Sequence, residues 1–286
     1  MLTISEVSKS YGKKRVLDDI SIELENGLYG LLAPNGAGKT TLLKLIVTLL
    51  SPDRGEILWN GAPVQKLGAS YREIIGYLPQ QFGYYKYNTP VQYLDYLAAL
   101  KGLPREGLKE KIFSVLDTVG LSDVAQVKMR KFSGGMIQRV GIAQALMGDS
   151  RLLILDEPTA GLDPKERARF RNLIAEMSKN RIVILSTHIV SDVESVSGRV
   201  LMLKDRKLVR NQSASALCSE LEGKVFEIRV KTDDQAAALK KEHFILSERN
   251  EAGSMILRYY SEQPAGLEGE RLCPPNLEDL FLVMYR

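Results

Sequence analysis

Hydrophobic and polar positions alternate near the start of the chain. The apolar positions of this pattern are Leu2, Ile4, Ile20, Ile22 and Leu24. A period of two places the apolar side chains on one face of a strand and the polar side chains on the other. The pattern therefore predicts an antiparallel edge of β-sheet, with one face packed on a core.

Continuous apolar runs replace this alternation in the middle of the chain. Runs at 28–32, 152–155 and 182–185 have the length of buried strands. Helical patterns lie between the first and second of these runs, at 91–100, 108–119 and 136–146. Strands that alternate with helices predict a parallel sheet with helices packed against it, and hence an α/β fold.

The pattern changes again near residue 215. Apolar residues alternate at 226–230 and at 255–259, which predicts further strands. Asn276 can cap a final helix, because Asp279 stands three residues further on and apolar residues follow at helical spacing. We predict a first domain at 1–215 and a small C-terminal α+β appendix at 222–286.

A loop of small residues follows the run at 28–32 and leads into a helical pattern. Its residues are Ala33, Pro34, Asn35, Gly36, Ala37, Gly38, Lys39, Thr40 and Thr41. Small residues let backbone N–H groups wrap around a polyphosphate, and the helix N-terminus faces the anion. Lys39 can place its charge against the terminal phosphates, and Thr40 can ligate magnesium, so the loop predicts binding of ATP with Mg²⁺. Glycine is usual where Ala33 stands, and we expect a negative φ there because left-handed alanine costs roughly 1–2 kcal/mol.

Two carboxylates end the apolar run at 152–155. Asp156 and Glu157 would be costly at the end of a buried strand unless positive charge lies beside them. We predict that Asp156 holds magnesium and that Glu157 orients or deprotonates the water that attacks the γ-phosphate. For this segment taken alone, a capped strand end with a proline turn is the alternative.

Further short motifs complete a recognisable series. They are Phe132-Ser133-Gly134-Gly135-Met136, Gln138-Arg139, Asp156-Glu157-Pro158-Thr159, Gly161-Leu162-Asp163-Pro164 and Ser186-Thr187-His188. With the phosphate loop, the series resembles the ATP-binding cassette (ABC) ATPases over roughly residues 1–215, although Phe132 and Met136 depart from the usual signature pattern. The resemblance implies a P-loop NTPase core of ABC type, with a mostly parallel sheet, an antiparallel β edge and a helical subdomain.

The resemblance also implies roles for single residues. Ser133 and the two glycines after it resemble the signature loop, which contacts the γ-phosphate held by another subunit. Gln80 resembles the glutamine that reaches the magnesium and the water, and His188 resembles the switch histidine at the γ-phosphate. Asp163 resembles the aspartate of the dimer-contact loop, and Tyr11 resembles the aromatic residue that stacks on adenine. Each of these residues taken alone is also explained by ordinary turn or surface chemistry.

Composition limits the choice of partners. The net charge is +4 and no basic block occurs, so we expect no nucleic acid as a partner. No apolar run reaches the ~20 residues that span a bilayer. The resemblance implies a homodimer or heterodimer of nucleotide-binding subunits that works with a separate transmembrane permease. Through that permease the cytoplasmic chain would be held at the inner face of the membrane. The ending at 277–281 resembles exporter cassettes, which favours export.

The sequence also allows three alternative functions to be weighed, and it leaves two interpretations of one aromatic segment. A soluble cassette acting on the ribosome usually carries two cassettes in tandem, whereas only one such loop occurs in this chain. A DNA-repair cassette needs a long coiled coil, but Lys39 and Asp156 are 117 positions apart without sustained heptads. A separate enzyme activity would need a catalytic constellation at 222–286, which the sequence does not contain. The aromatic segment at 82–87 fits a partner surface or local packing equally well.

Overall fold

The computed structural model describes residues 1–230, 232–251 and 253–286. It divides into two compact units, Met1–Asn211 and Gln212–Arg286. The strands of the first unit are β1 (Leu2–Tyr11), β2 (Lys14–Leu24), β3 (Gly27–Leu32), β4 (Arg54–Trp59), β5 (Ala62–Pro63), β6 (Ile75–Leu78), β7 (Leu152–Asp156), β8 (Ile182–Thr187), β9 (Arg199–Lys204) and β10 (Lys207–Gln212). Its helices are α1 (Lys39–Ile46), α2 (Val64–Leu67), α3 (Ala69–Glu73), α4 (Pro90–Leu100), α5 (Leu108–Thr118), α6 (Gly134–Leu146), α7 (Pro164–Met177) and α8 (Val190–Glu194).

The alternating residues at the start of the chain form an antiparallel sheet. β1 pairs with β2, and Leu2 lies opposite Leu24 while Ile4 lies opposite Ile22. The sheet has the order β2-β1-β4-β5. Its apolar positions are buried, which confirms the predicted antiparallel edge and its buried face.

The continuous apolar runs form a second, mostly parallel sheet in the order β10-β9-β3-β8-β7-β6. β3, β8, β7 and β6 pair in parallel with their neighbours, and the residues of β7 and β8 are buried throughout. Burial on both faces explains why these strands are apolar at successive positions. Because β3, β6, β7 and β8 run the same way, the segments that follow them emerge at one edge of the sheet. This confirms the predicted α/β core.

The helical patterns of the sequence form α4, α5 and α6, which pack on one another. α4 begins with a capping box, in which Thr89 and Gln92 exchange side-chain and backbone hydrogen bonds. α6 begins at Gly134 rather than at Met136, where the sequence pattern begins. The hydroxyl of Ser133 accepts the backbone N–H of Met136 at 3.2 Å, so the glycines already belong to the first helical turn.

The second unit combines a sheet with short helices. Its strands are β11 (Val225–Val230), β12 (Phe244–Glu251), β13 (Ser254–Tyr260) and β14 (Arg271–Leu272), and its helices are α9 (Ala214–Cys218), α10 (Asp233–Glu242) and α11 (Leu277–Met284). The sheet order is β12-β13-β11-β14. Phe226, Leu239 and Tyr259 lie in its apolar core, and the half-buried His243 packs against the ring of Tyr259. Asn276 and Asp279 form a complete capping box, which confirms the predicted start of the last helix.

A buried carboxylate connects strands of the second unit. Glu227 of β11 receives hydrogen bonds from Arg249, Arg258 and Arg271, the last at 2.7 Å. Burial by itself would raise the pKa of Glu227, but the hydrogen bonds from these arginines outweigh it and lower the pKa to about 2.

Candidate functional site

The phosphate loop joins β3 to α1 at the carboxyl edge of the parallel sheet. Gly36 and Gly38 have φ values of 81° and 107°, which residues with a Cβ atom rarely adopt. Among the described residues, the non-glycine residues with positive φ do not include Ala33, so the expected negative φ is confirmed. Most of the loop, together with Gln80 and Glu157, lines a cavity of about 340 Å³, but Ala33 and Ala37 are not among the lining residues.

Lys39 is the first residue of α1 and is buried beneath this loop. Its ammonium donates hydrogen bonds to the carbonyl oxygens of Ala33 and Pro34. Burial lowers the pKa of Lys39, while the charges of Glu157 and Asp156 act in the opposite direction. The ammonium therefore sits beside two carboxylates at the floor of the cavity, where it can bind a phosphate oxygen.

Asp156 ends β7 directly opposite the start of α1. Its Oδ2 accepts a hydrogen bond from the Thr40 hydroxyl at 3.1 Å. Asp156 Oδ1 and the hydroxyl of Ser186 are buried without a hydrogen bond of normal geometry among the described residues. Burial raises the pKa of Asp156, so the charged carboxylate is under-stabilised by the protein alone.

These groups fit a magnesium ion bound together with a phosphate. Magnesium is commonly held by one or two carboxylates, a hydroxyl and phosphate oxygens rather than by a complete protein cage. No group of three or more His, Cys, Asp or Glu residues suited to a metal occurs within the described parts of the chain. Thr40 and Asp156 are the residues that would hold the ion.

Glu157 and His188 meet at the edge formed by β7 and β8. His188 Nδ1 lies 2.9 Å from Glu157 Oε2, and the histidine side chain is half exposed whereas Glu157 is buried. Glu157 has a φ of 51°, in the left-handed region, where a residue with a Cβ atom is strained by roughly 1–2 kcal/mol. This backbone turns the carboxylate out of the strand direction and towards the cavity that the phosphate loop lines.

Gln80 follows β6, the strand next to β7, and lines the same cavity. The structure thus brings together Lys39, Thr40, Asp156, Glu157 and Gln80, with His188 bonded to Glu157. Their assembly follows from parallel strand order, because the segments after β3, β6, β7 and β8 emerge at one edge. Val16 also lines the cavity, and no pattern in the sequence identified it.

Other predicted site residues lie outside this cavity. Ser133 and Gly134 are exposed at the start of α6, and Gly135 is buried behind them. Asp163 is the exposed N-cap of α7, where its carboxylate accepts the backbone N–H of Glu166 at 2.8 Å. Tyr11 is 49% exposed at the end of β1. None of these residues lines the cavity around Lys39.

The sequence patterns did not predict an ion pair near His188. Asp192 of α8 is fully buried, and its Oδ1 accepts a hydrogen bond from Arg171 of α7 at 3.1 Å. Asp192 stands four residues after His188, so it ties the histidine segment to α7. In the sequence, Asp192 is marked only as an aspartate within an apolar helical pattern. That pattern does not identify Arg171 as its partner.

Known proteins resemble this chain in sequence and structure. The family model described as ABC transporter matches residues 17–160. An uncharacterized ABC transporter ATP-binding protein, YxlF of Bacillus subtilis, is 38% identical, covering 81% of this chain and 77% of its own. A Nod factor export ATP-binding protein I of Sinorhizobium fredii is 34% identical, covering 98% of this chain and 84% of its own.

The fold is also found among solved structures. The solved structure of an ATP-binding subunit of an ABC transporter superposes with a TM-score of 0.69 and 26% identity. The match covers 84% of this chain and 99% of that one. The phosphate loop, the two acidic residues that end β7 and these similarities lead to one assignment: the chain belongs to the ABC transporter family and is an ATP-binding, ATP-hydrolysing member of it.

Proposed function

We propose that this chain is the magnesium-dependent ATPase subunit of an exporter, that it works as a pair of nucleotide-binding subunits, and that it drives a separate membrane permease. The observation that carries the proposal is the incomplete cavity. Lys39, Thr40, Gln80 and Glu157 line it, whereas Ser133 lies outside it. A helix N-terminus with an exposed serine is itself an anion site, so each chain offers two separate parts of a phosphate site.

Within one chain, each group at the cavity has a distinct task. Lys39 binds the terminal phosphates, and Thr40 and Asp156, which share a hydrogen bond, would hold the ion. When bound, magnesium neutralises charge on the phosphate oxygens. Glu157 accepts a proton from the attacking water, and the hydrogen bond with His188 fixes the direction of its carboxylate. Gln80 contributes a polar side chain to the same wall.

A pair of chains completes this arrangement. Ser133 and Gly134 of one copy, at the start of α6, would contact the γ-phosphate held by Lys39 of the other copy. Asp163 is exposed at the start of α7 and would contact the facing copy. A two-fold arrangement then makes two equivalent composite sites. ATP thereby joins the pair, and hydrolysis releases it.

The surface that would dock the permease follows Gln80. Tyr84, Tyr85 and Tyr87 are 40%, 53% and 62% exposed. Tyrosine is enriched at protein interfaces because it offers apolar area with a polar tip. Among the described residues no helix is both long and apolar enough for a membrane span. Docking through this surface would place the chain at the inner membrane face.

Export is favoured by the extent of one similarity. The Nod factor export relative matches 98% of this chain, so the match extends through the C-terminal unit. The segment at 277–281, which resembles the ending of exporter cassettes, lies in that unit.

The test of hydrolysis is Glu157→Gln, which retains size but removes the proton acceptor. Binding of ATP should persist while turnover falls by about 10²–10⁴-fold. Glu176→Gln, an exposed site on α7, is the matched control and should hydrolyse ATP at the normal rate. Turnover by Glu157→Gln at the normal rate would contradict the role given to Glu157.

The test of the partner is gentle isolation of the tagged chain from membranes. A multi-span permease should accompany the native chain and should be lost with Tyr85→Ser combined with Tyr87→Ser. The control Leu272→Ser changes a residue that is 58% exposed in the second unit and should keep the permease. Recovery of ribosomal proteins in place of a permease would contradict transport, and recovery of an external substrate-delivering protein would contradict export.

A further inference from the structure

Glu166 makes an unusual contact with the signature loop of its own chain. It is the third residue of α7, and Asp163 caps that helix by accepting the N–H of Glu166. A glutamate at this position commonly returns its carboxylate to the N–H of the capping residue. Here the carboxylate lies instead against Gly135, so closely that a Cβ atom at Gly135 would overlap it.

An arginine of the signature helix holds that carboxylate. Arg139 Nη2 lies 3.4 Å from Glu166 Oε1. Nη1 of the same guanidinium donates to the carbonyl oxygens of Gly120 and Val119, at 3.0 and 3.4 Å, just after α5. One guanidinium therefore connects the end of α5, the side of α6 and the first turn of α7.

Polar contacts and the close approach of Glu166 to Gly135 fix this junction, and open space lies beside it. A cavity of about 230 Å³ adjoins it, lined in part by Gly135, Arg139 and Glu166. Arg139 Nε is buried and has no hydrogen-bond partner within the described parts of the chain. Loss of the Glu166 carboxylate would therefore leave space into which the first turn of α6 can move.

We infer that Glu166 is a positioning residue: it holds the start of α6, and so Ser133, at a fixed place relative to the dimer-contact residue Asp163. This inference rests on the proposed function, in which Ser133 acts on the ATP of the facing copy. The negative carboxylate is itself favourable beside the N-terminus of α6, and Arg139 balances its charge. Glu166 touches no nucleotide of its own chain, because it lies outside the cavity around Lys39.

This geometry predicts an effect on the opposite site of the dimer, which mixed dimers can reveal. Two differently tagged copies are co-expressed and the mixed dimers are isolated through both tags. In the first arrangement Lys39→Ala and Glu166→Ala are on the same copy and the other copy is native. The one intact phosphate loop then faces the altered signature helix. In the second arrangement the two substitutions are on different copies, and the intact phosphate loop faces a native signature helix.

We expect turnover to fall at least about tenfold in the first arrangement relative to Lys39→Ala paired with a native copy, because a small displacement of a positioned group lowers the rate steeply. The second arrangement should stay within about twofold of that reference. The loss should appear in kcat rather than KM, since the nucleotide still binds to the native loop. Glu166→Gln, which keeps the size and an oxygen for Arg139, should restore most of the turnover in the first arrangement.

Two further variants separate this inference from the proposed function. Ser133→Arg in the same arrangements tests the composite site itself, and Glu176→Ala on the exposed side of α7 controls for changes in that helix. If Ser133→Arg distinguishes the arrangements but Glu166→Ala slows both equally or neither, Glu166 has no positioning role and the composite site stands. If Ser133→Arg fails to distinguish them, the composite site fails, and the role of Glu166 fails with it.

Discussion

A methyl group added at Gly141 should disturb the packing between the signature helix and the aromatic segment. Gly141 is buried within α6. A Cβ atom there would lie 2.6 and 2.7 Å from Cε1 and Cζ of Phe82, and 2.7 Å from Cδ1 of Leu78. Phe82 stands two residues after Gln80, at the start of the aromatic segment. The absence of a side chain at Gly141 thus lets the ring of Phe82 pack directly on the helix backbone.

Two opposing effects set the size of the change. Replacing a glycine by alanine inside a helix gains about 1 kcal/mol from lower conformational freedom of the unfolded chain. Overpacking of a close-packed contact costs about 1–3 kcal/mol. We therefore expect Gly141→Ala to destabilise the first unit by about 1 kcal/mol, which lowers the Tm of a unit of this size by about 2–4 °C.

Thermal unfolding of four proteins measures this effect: the native chain, Gly141→Ala, Phe82→Ala and the double variant. In the Phe82→Ala background only the contact with Leu78 remains, so Gly141→Ala should lower the Tm less than it does in the native chain. Gly134→Ala is the matched control in the same helix, because a Cβ atom there meets nothing within 4 Å. Stabilisation by Gly141→Ala in the presence of Phe82 would refute the packing argument.

Two further predictions concern the buried Glu227 and the magnesium site. Glu227 has a folded-state pKa of about 2, below its usual 4.5, so its stabilising contribution is complete above pH 4.5 and is lost as the pH falls towards 2. Glu227→Gln should lower the free energy of unfolding by roughly 1–3 kcal/mol at pH 7, a loss that solvent around the arginines keeps modest. Denaturant unfolding should show this loss shrinking below pH 4.5, and an equal loss at every pH would contradict the prediction. Removal of magnesium by a chelator should abolish turnover, and Thr40→Ala should raise the magnesium concentration needed for half-maximal turnover. Undiminished turnover in the chelator would contradict the metal site.

Local patterns were sufficient for the core of the fold, for the phosphate loop and for the two carboxylates after β7, whereas Val16 of the phosphate cavity was not identified. The strand pattern at 152–155 and the carboxylates after it predicted β7 and its end, because burial requires apolar residues at every position. The negative φ at Ala33 followed from the steric cost of left-handed alanine. Parallel strand order then brings the segments after separate strands together, whatever their distance along the chain.

Those local patterns could not predict features that depend on tertiary structure. The positive φ of Glu157 depends on the turn after β7, and nothing in Asp156-Glu157-Pro158 requires it. The position of Glu166, three residues after the N-cap Asp163, is typical of a capping box. Its carboxylate instead contacts Gly135 of another helix, which local helix-capping patterns cannot predict. Asp192 is similar, since its burial depends on the position of Arg171 on another helix.

The central claim is that two copies enclose ATP, and the mass of the Glu157→Gln variant in solution tests it most directly. With ATP and magnesium, light scattering should give twice the 31.9 kDa of one chain, because ATP stays unhydrolysed between the copies. Adding Ser133→Arg to the same variant should return the mass to that of one chain while each copy still binds ATP. A single-chain mass for Glu157→Gln saturated with ATP would contradict the composite site.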